Sequence, residues 1–309
     1  MHGGLVRASA EEDSYSLKYK IDLKDVNKVA GAVFFADTDR PKTYGHVLID
    51  VLPKLWAYGE GRKTPPGTPL ATTVVIGRTY AKMLQQLDVD VDSIVTIDRP
   101  TIVDEAYFPG IAFGRRDGAY PEAFEVFDRI SRLKRESSVS RHKRIYISRR
   151  LVPGRTLVNE AAIEEIFSDL GFQIIHPQCL PIEDKIAIFA GAEFIAGPAG
   201  SALHNAVFSG PKTKILIIAS SGWLHVIDMF INQQPGQLGY VIGDPLVPAT
   251  GSRRRTSGEW SVDVDEVREA AHQHFRIGMH PASRFRTLAD MAKRLWRAPG
   301  SGKSAAESS

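Results

Sequence analysis

Three short stretches of this 309-residue chain carry side chains able to do chemistry. In YGHVLIDVLPKLW (44–56), His46 and Asp50 are four residues apart and share one face of a helix that begins near Tyr44. A carboxylate beside an imidazole fixes its tautomer and stabilises its cation, the usual construction of a general base. The same spacing also describes an ordinary surface pair, and Pro53 shortens or kinks the helix just beyond Asp50. In YISRR (146–150), Ser148, Arg149 and Arg150 stand at a strand end, where a guanidinium can fork two phosphate oxygens at any working pH. A solvated basic loop is the alternative there. In GPAGSALHN (197–205), a strand turns into a helix, and Gly200 lets the backbone approach a ligand. The N–H groups of Ser201 and Ala202 would then face an anion with the helix dipole behind them, unless the turn uses glycine for conformation alone.

Other candidates are weaker. Asp-x-Asp occurs at Asp37–Asp39, along Asp88–Asp90–Asp92 and at Asp263–Asp265. Only the first has the setting of a cation site, carboxylates at a strand end, and three occurrences show how cheaply the pattern arises. His204, His225, His272, His274 and His280 form no metal spacing. Cys179 is the only cysteine, so neither an intramolecular disulfide nor a cysteine-based zinc site can form within one chain.

The elements that must position these residues alternate along the chain. RIYIS (144–148), QII (173–175), EFIA (193–196), KILIIA (214–219) and GYVI (239–242) read as strands. Between them come helices at 159–170, from Pro181 to Ala190, from about Ser201 to Phe208 and near Trp223–Ile231. In the first of these, Ile163, Ile166, Phe167 and Leu170 make one apolar face, Asn159 is the N-cap, Glu160 suits the positive end and Gly171 stops it. The first half is similar: strands AVFFA (32–36), TTVVI (72–76) and SIVTI (93–97), with helices at about Tyr44–Tyr58, Tyr80–Leu87 and Glu122–Lys134. Such alternation implies βαβ units and parallel sheets covered on both faces, with ligands beyond the carboxyl ends of the strands. Past the last strand come the polar run ATGSRRRTSGEWS, helices near Asp265–Phe275 and Ser283–Trp296, and a tail SGKSAAESS expected to be disordered.

Composition narrows the class. With 43% hydrophobic and 24% charged residues, the chain is neither collagenous nor disordered nor a coiled coil. Net charge is only +3, yet residues 129–155 hold ten Arg or Lys against one acid, Glu136, a concentration suited to an anionic ligand. That segment has few aromatics for base stacking and no nucleic-acid motif, so nucleic acid is not the expected partner. The N-terminus lacks a signal-peptide pattern and no 18-residue apolar run occurs, so the expectation is a cytoplasmic protein, peripheral at the inner face of the membrane if it works on membrane-attached material.

At these residues the sequence resembles glycosyltransferase family 61, which includes bacterial capsular polysaccharide biosynthesis proteins. The likeness rests on YGHVLIDVLPKLW, similar to the family's aromatic-x-His-x-x-x-Asp-x-x-Pro segment, and on YISRR followed by LVNE. It rests also on GFQIIHPQCLPIEDKIAIFAGAEFIAGPAGSALHNAVF, similar to the family's Gly-Phe, loop, helix, strand and Gly-rich turn. The match spans about Tyr44 to Ser220, with one departure at Ala199, where many members have His.

The resemblance implies an α/β, GT-B-like architecture of two Rossmann-like domains with a donor cleft between them. The expected division is an acceptor-side domain over 1–140, a nucleotide-sugar-binding domain over 141–250, a helical segment over 251–298 and a tail over 299–309. It implies an inverting transfer from a nucleotide-sugar donor, expected to be UDP-linked and metal-independent, to a hydroxyl of a glycan or capsular polysaccharide precursor. Carried over residue by residue, His46 and Asp50 are catalytic, and Ser148, Arg149, Arg150, Asn159, Glu160, Gly200, Ser201, Ala202 and Asn205 bind the donor. The alternative is a catalytically weak sugar-nucleotide or glycan-binding subunit of a polysaccharide assembly complex.

Overall fold

The computed structural model describes residues 5–9, 26–38, 40–59, 61–114, 118–139, 142–222, 238–246 and 258–277. The helices expected near Trp223–Ile231 and Ser283–Trp296, the tail, Asp39, His225 and His280 lie outside them. The fold is mixed α/β, built on two largely parallel, Rossmann-like sheets.

The second sheet follows the expected alternation closely. Its strands are β8 (Arg144–Ile147), β9 (Gln173–Ile175), β10 (Phe194–Pro198), β11 (Lys214–Ser220), β12 (Leu238–Pro245) and β13 (Trp260–Ser261), in the order β13-β12-β11-β10-β8-β9. All pairings are parallel except β12 with β13. Its continuous apolar runs split by alternation, since both faces are buried: Ile145, Ile147, Ile215 and Ile217 face one core, and Tyr146, Leu216 and Ile218 another. The latter is covered by α4 (Glu160–Asp169) and α6 (Val264–Phe275). Asn159 does occupy the N-cap of α4 but makes no side-chain cap bond; its amide donates to Val262 O at 2.7 Å and so ties α4 to the segment after β13. The chain steps from β8 to β9 and then returns across β8 to β10, so strand order reverses between β8 and β10.

The first sheet departs further from expectation. It has the order β1-β5-β2-β3-β4, from β1 (Leu5–Ser9), β2 (Asn27–Phe35), β3 (Leu70–Thr72), β4 (Val95–Thr96) and β5 (Thr101–Pro109). β5 lies between β1 and β2, a strand that sequence reading missed because its polar residues Asp104 and Glu105 interrupt the apolar alternation. β3 ends at Thr72 rather than running to Ile76: Thr73 donates its hydroxyl to Asp37 Oδ1 at 2.8 Å, and Val75 stands 74% exposed. α2 (Arg78–Gln85) follows, and β4 is two residues long where five were expected. Here too the order reverses, between β2 and β5. After a short hairpin of β6 (Phe113–Gly114) and β7 (Gly118–Ala119) comes α3 (Pro121–Ile130), whose expected last turn is a 3₁₀ segment, Ser131–Glu136.

The helix expected from Tyr44 to Tyr58 is three conformations in series. An α-turn, α1 (Tyr44–His46), passes into a π-helical stretch at Val47–Val51 and then into 3₁₀ at Leu52–Ala57. Pro53 has no N–H to continue the ladder, and the Leu52 N–H reaches back five residues to Val47 O.

One core joins the sheets. Phe34, Leu48, Leu52 and Leu70 from the first unit and Ile145, Ile186, Ile195 and Leu203 from the second belong to a single buried cluster, Ile186 lying on α5 (Ile182–Gly191). Phe127 of α3 is its hub, meeting Phe113, Phe124 and Phe208 edge-on with centroids 5.9–6.5 Å apart. Phe127→Ala should cost about 3–5 kcal/mol, the range for a large buried aromatic truncated to a cavity. The measurement is the urea midpoint followed by both far-ultraviolet circular dichroism and tryptophan fluorescence. Because the core is continuous, the two probes should shift together.

Candidate active site

The reversal points of the two sheets meet, and the candidate residues cluster around their seam. On the first-sheet side, α1 and the π-turn lie just beyond the end of β2. His46 Nδ1 stands 2.6 Å from Asp50 Oδ2, and Thr38 donates its hydroxyl to the same oxygen at 3.1 Å. In the neutral ring the carboxylate accepts from Nδ1–H, which leaves the lone pair on Nε2. The two side chains are 12% and 19% exposed, largely shielded from solvent. Four residues after Asp50, Lys54 donates to the Asp37 carbonyl at 2.5 Å. Burial lowers the Lys54 ammonium from its ordinary value, opposed by Asp50 and Asp37. The polar groups at the end of β2 are thus stitched to the turn that carries His46.

On the second-sheet side, Arg149 follows β8 and Gly200 follows β10, neighbours across the reversal point. Arg149 is 7% exposed; its Nη2 donates to Gly154 O at 3.3 Å, and its Nε is buried with no partner. Burial lowers this guanidinium from its ordinary value, opposed by Glu160. A Cβ on Gly200 would stand 2.5 Å from Arg149 Nη1, and φ there is 156°, so glycine suits a turn that lies this close to the guanidinium. Behind it, the loop from Arg149 to Ala161 encloses an open cleft of about 580 Å³ that also takes in Arg155 and Glu160.

A second glycine joins the two sides. A Cβ on Gly45 would stand 2.7 Å from Ser201 Cβ and Oγ and from His204 Nδ1, so α1 sits directly on the turn. Beside it Tyr44 donates its hydroxyl to Asn205 Oδ1 at 2.6 Å, while its ring lies against Tyr80 and under Lys185 Nζ, 5.0 Å from the ring centroid. Burial raises the Tyr44 phenol well above its ordinary range. His46 is the residue after Gly45, so its main chain lies beside the turn that Arg149 lies against.

The other predicted residues take different places. Ser148 is fully buried, and its hydroxyl accepts from the Arg150 N–H at 3.2 Å. Arg150 points outward into an exposed pair with Glu164 at 2.9 Å. Glu160 is buried, accepting from the Arg149 main-chain N–H at 2.7 Å and from Tyr146 at 3.4 Å; burial raises its carboxyl, opposed first by that N–H. Asn205 belongs to the joint, its amide donating to Ala202 O at 2.8 Å. The helix after the turn is 3₁₀ and only six residues, Leu203–Phe208, so the expected dipole behind Ser201 and Ala202 is short and the positive field there comes from arginine instead. Ala199 is buried and its N–H donates to Ile218 O.

Sequence reading passed over Arg155 as one of many basic residues. Its Nη2 lies 3.6 Å from the same point beside Gly200. The ten-residue basic cluster is in fact split by β8: Lys143 and Arg144 pair with Glu193 and Leu170 O at the start of that strand, whereas Arg149 and Arg155 after it stand beside Gly200. Of the Asp-x-Asp pairs, Asp90 and Asp263 cap helices, and among the described residues no group of three His, Cys, Asp or Glu could hold a metal.

The sequence model of the family described as Glycosyltransferase 61 matches residues 44–216, more than half of the chain. The chain belongs to glycosyltransferase family 61. The matched span opens at Tyr44 and closes on β11, so it contains both sides of the seam. No curated protein matches the chain. Membership makes it a glycosyltransferase, whose substrates are a nucleotide sugar and a glycan acceptor. Among the described residues no helix is long and apolar enough to cross a membrane.

Two outcomes test this geometry. Gly200→Ala should cost some stability, because φ at this position is 156°, and should displace the guanidinium that stands nearest, weakening nucleoside diphosphate binding at least about tenfold by calorimetry on the fraction that urea unfolding shows to be folded. The raised Glu160 carboxyl means that the folded chain holds this proton to higher pH than the unfolded chain does. Its contribution to stability therefore falls as pH rises from the ordinary carboxyl value through the raised one. Glu160→Gln keeps an acceptor for the Arg149 N–H, so its urea midpoint relative to the parent should rise as pH increases above the ordinary carboxyl value.

Proposed function

We propose that this family 61 member is an inverting transferase of GT-B type, with the first sheet presenting acceptor and base and the second holding the donor. The observation that carries the reading is the contact of Gly45 with Ser201, which sets His46 on one side of a seam and the buried Arg149 on the other. In the reaction, His46 Nε2 takes the proton of an acceptor hydroxyl, that oxygen bonds to the anomeric carbon, and the carbon–phosphate oxygen bond breaks with its electron pair leaving on the nucleoside diphosphate. Asp50 holds the imidazole and stabilises its cation. Arg149 and the Gly200 turn meet the charge of the departing diphosphate, a role for which this reading needs no metal. The donor is UDP-linked and the acceptor a hydroxyl of a glycan or capsular polysaccharide precursor. The protein then works in the cytoplasm, at the inner face of the membrane where its acceptor is membrane-attached.

The deciding experiment combines turnover and binding. His46→Ala should lower release of nucleoside diphosphate by about 10²–10⁴ with donor affinity nearly unchanged, and Asp50→Asn should give a smaller loss of the same kind. Arg149→Ala should instead weaken UDP binding by about 1.5–3 kcal/mol. Full turnover in His46→Ala, with the correct donor and acceptor, defeats the base assignment. Donor binding without turnover in the unsubstituted chain favours the binding-subunit reading.

A further inference from the structure

The loop from Arg149 to Thr156 is held in a form that its own sequence does not favour. Gly154 and Arg155 have φ of 77° and 51°, two successive residues in the left-handed region, and Arg155 carries a Cβ that makes this conformation costly. Strain of this kind persists only where the surroundings enforce it, and it concentrates at functional sites. The enforcing residue is Trp260 of β13. Its indole Nε1–H donates to Arg155 O at 3.1 Å, its main-chain N–H donates to Thr156 O at 3.0 Å, and its own carbonyl accepts from the Val158 N–H at 2.9 Å. Trp260 is itself 5% exposed in the core beneath α4 and α6, so the clamp is anchored.

The strained turn sends both of its groups the same way. Gly154 O meets Arg149 Nη2, and the Arg155 guanidinium comes round to the Gly200 turn, with Nη2 3.6 Å and Arg149 Nη1 2.5 Å from one point beside Gly200. Both guanidiniums therefore present positive charge to the same turn. Arg149 is more than nine-tenths buried, has a neutral carbonyl as its guanidinium's partner and keeps an unpartnered Nε. A buried cation in that state calls for a negative group, and a guanidinium takes phosphate oxygens two at a time.

We propose that Arg155 is the second phosphate-binding cation of this site, positioned by Trp260, and that the Arg149–Arg155 pair makes the site select a diphosphate over a monophosphate. A single phosphate group satisfies one fork; two linked phosphate groups satisfy both. The proposal rests on the reading of the Gly200 turn as the donor-phosphate site and adds a selectivity to it.

The test is calorimetry on the intact chain with inorganic pyrophosphate and inorganic phosphate, read as the ratio of the two affinities. The unsubstituted chain should bind pyrophosphate at least about tenfold more tightly than phosphate. Arg155→Gln should bring that ratio to about threefold or less with phosphate affinity nearly unchanged, and Arg155→Lys should recover part of it. Trp260→Phe keeps an aromatic ring and both main-chain bonds but loses the indole donor, so it should lower the ratio part-way. A merely structural tryptophan would weaken both anions equally, and that result removes the positioning role. An unchanged ratio in Arg155→Gln overturns the proposal. If in addition Arg149→Ala abolishes binding of both anions, the reading of the Gly200 site survives without it. Failure of the unsubstituted chain to bind either anion removes both.

Discussion

The missing side chain at Gly45 lets α1 rest on the turn after β10, with Ser201 and His204 only 2.7 Å from where a Cβ would be, well inside van der Waals distance. From that contact follows the placing of everything else in the site. Tyr44 reaches Asn205, His46 meets Asp50 one turn further on, and Lys54 beyond them donates to the Asp37 carbonyl at the end of β2. A methyl group there would have to push against Ser201 Cβ, an atom with no rotamer freedom to move aside, so the sheets would separate by part of an ångström. Catalytic geometry tolerates little of that kind of error. The continuous core beneath, with Phe127 touching rings of both units, keeps the joint from being a hinge of convenience.

Charge in this protein is spent on position as much as on ligands. Arg150, Arg129 and Lys82 pair with Glu164, Asp88 and Glu183, and Arg144 holds the end of α4 through Leu170 O. Arg149 differs from these because its burial is not matched by a carboxylate on its guanidinium; Glu160 meets its main-chain N–H instead. The result is a cation with unspent hydrogen-bonding capacity at the one strand end where a parallel sheet opens a crevice. A transferase that must stabilise a leaving diphosphate needs positive charge fixed before the reaction, so that none has to be reorganised during it.

The second sheet and the family were legible from residues alone, and for physical reasons. Parallel strands buried on both faces need unbroken β-branched runs such as KILIIA, and a helix on such a sheet needs the 3.6-residue stripe of Ile163, Ile166 and Phe167. The first sheet was harder to read. β5 carries Asp104 at an exposed position, where it accepts from Gly31 N at 2.7 Å, and Glu105 is half-buried. The end of β3 was misplaced because Thr73 leaves the ladder for Asp37, thirty-six residues away, a bond that no local pattern announces.

The chain's sequence by itself determined which residue types could do chemistry and that His46 and Asp50 would meet, since a spacing of four closes that distance within a single helical turn even when the turn is π rather than α. It also determined that Arg149 and Gly200 would lie at strand ends. Only the tertiary structure decided which arginine faces the seam, because adjacent residues leave a strand end in opposite directions: Arg149 turns in beneath Gly200 and Arg150 turns out to Glu164. It decided likewise that Asn205 would serve the joint and that Arg155 would reach the site. That last placement depends on a tryptophan 105 residues further along the chain, and a contact of that range is set by how β13 pairs with β12, not by anything in the neighbourhood of Arg155.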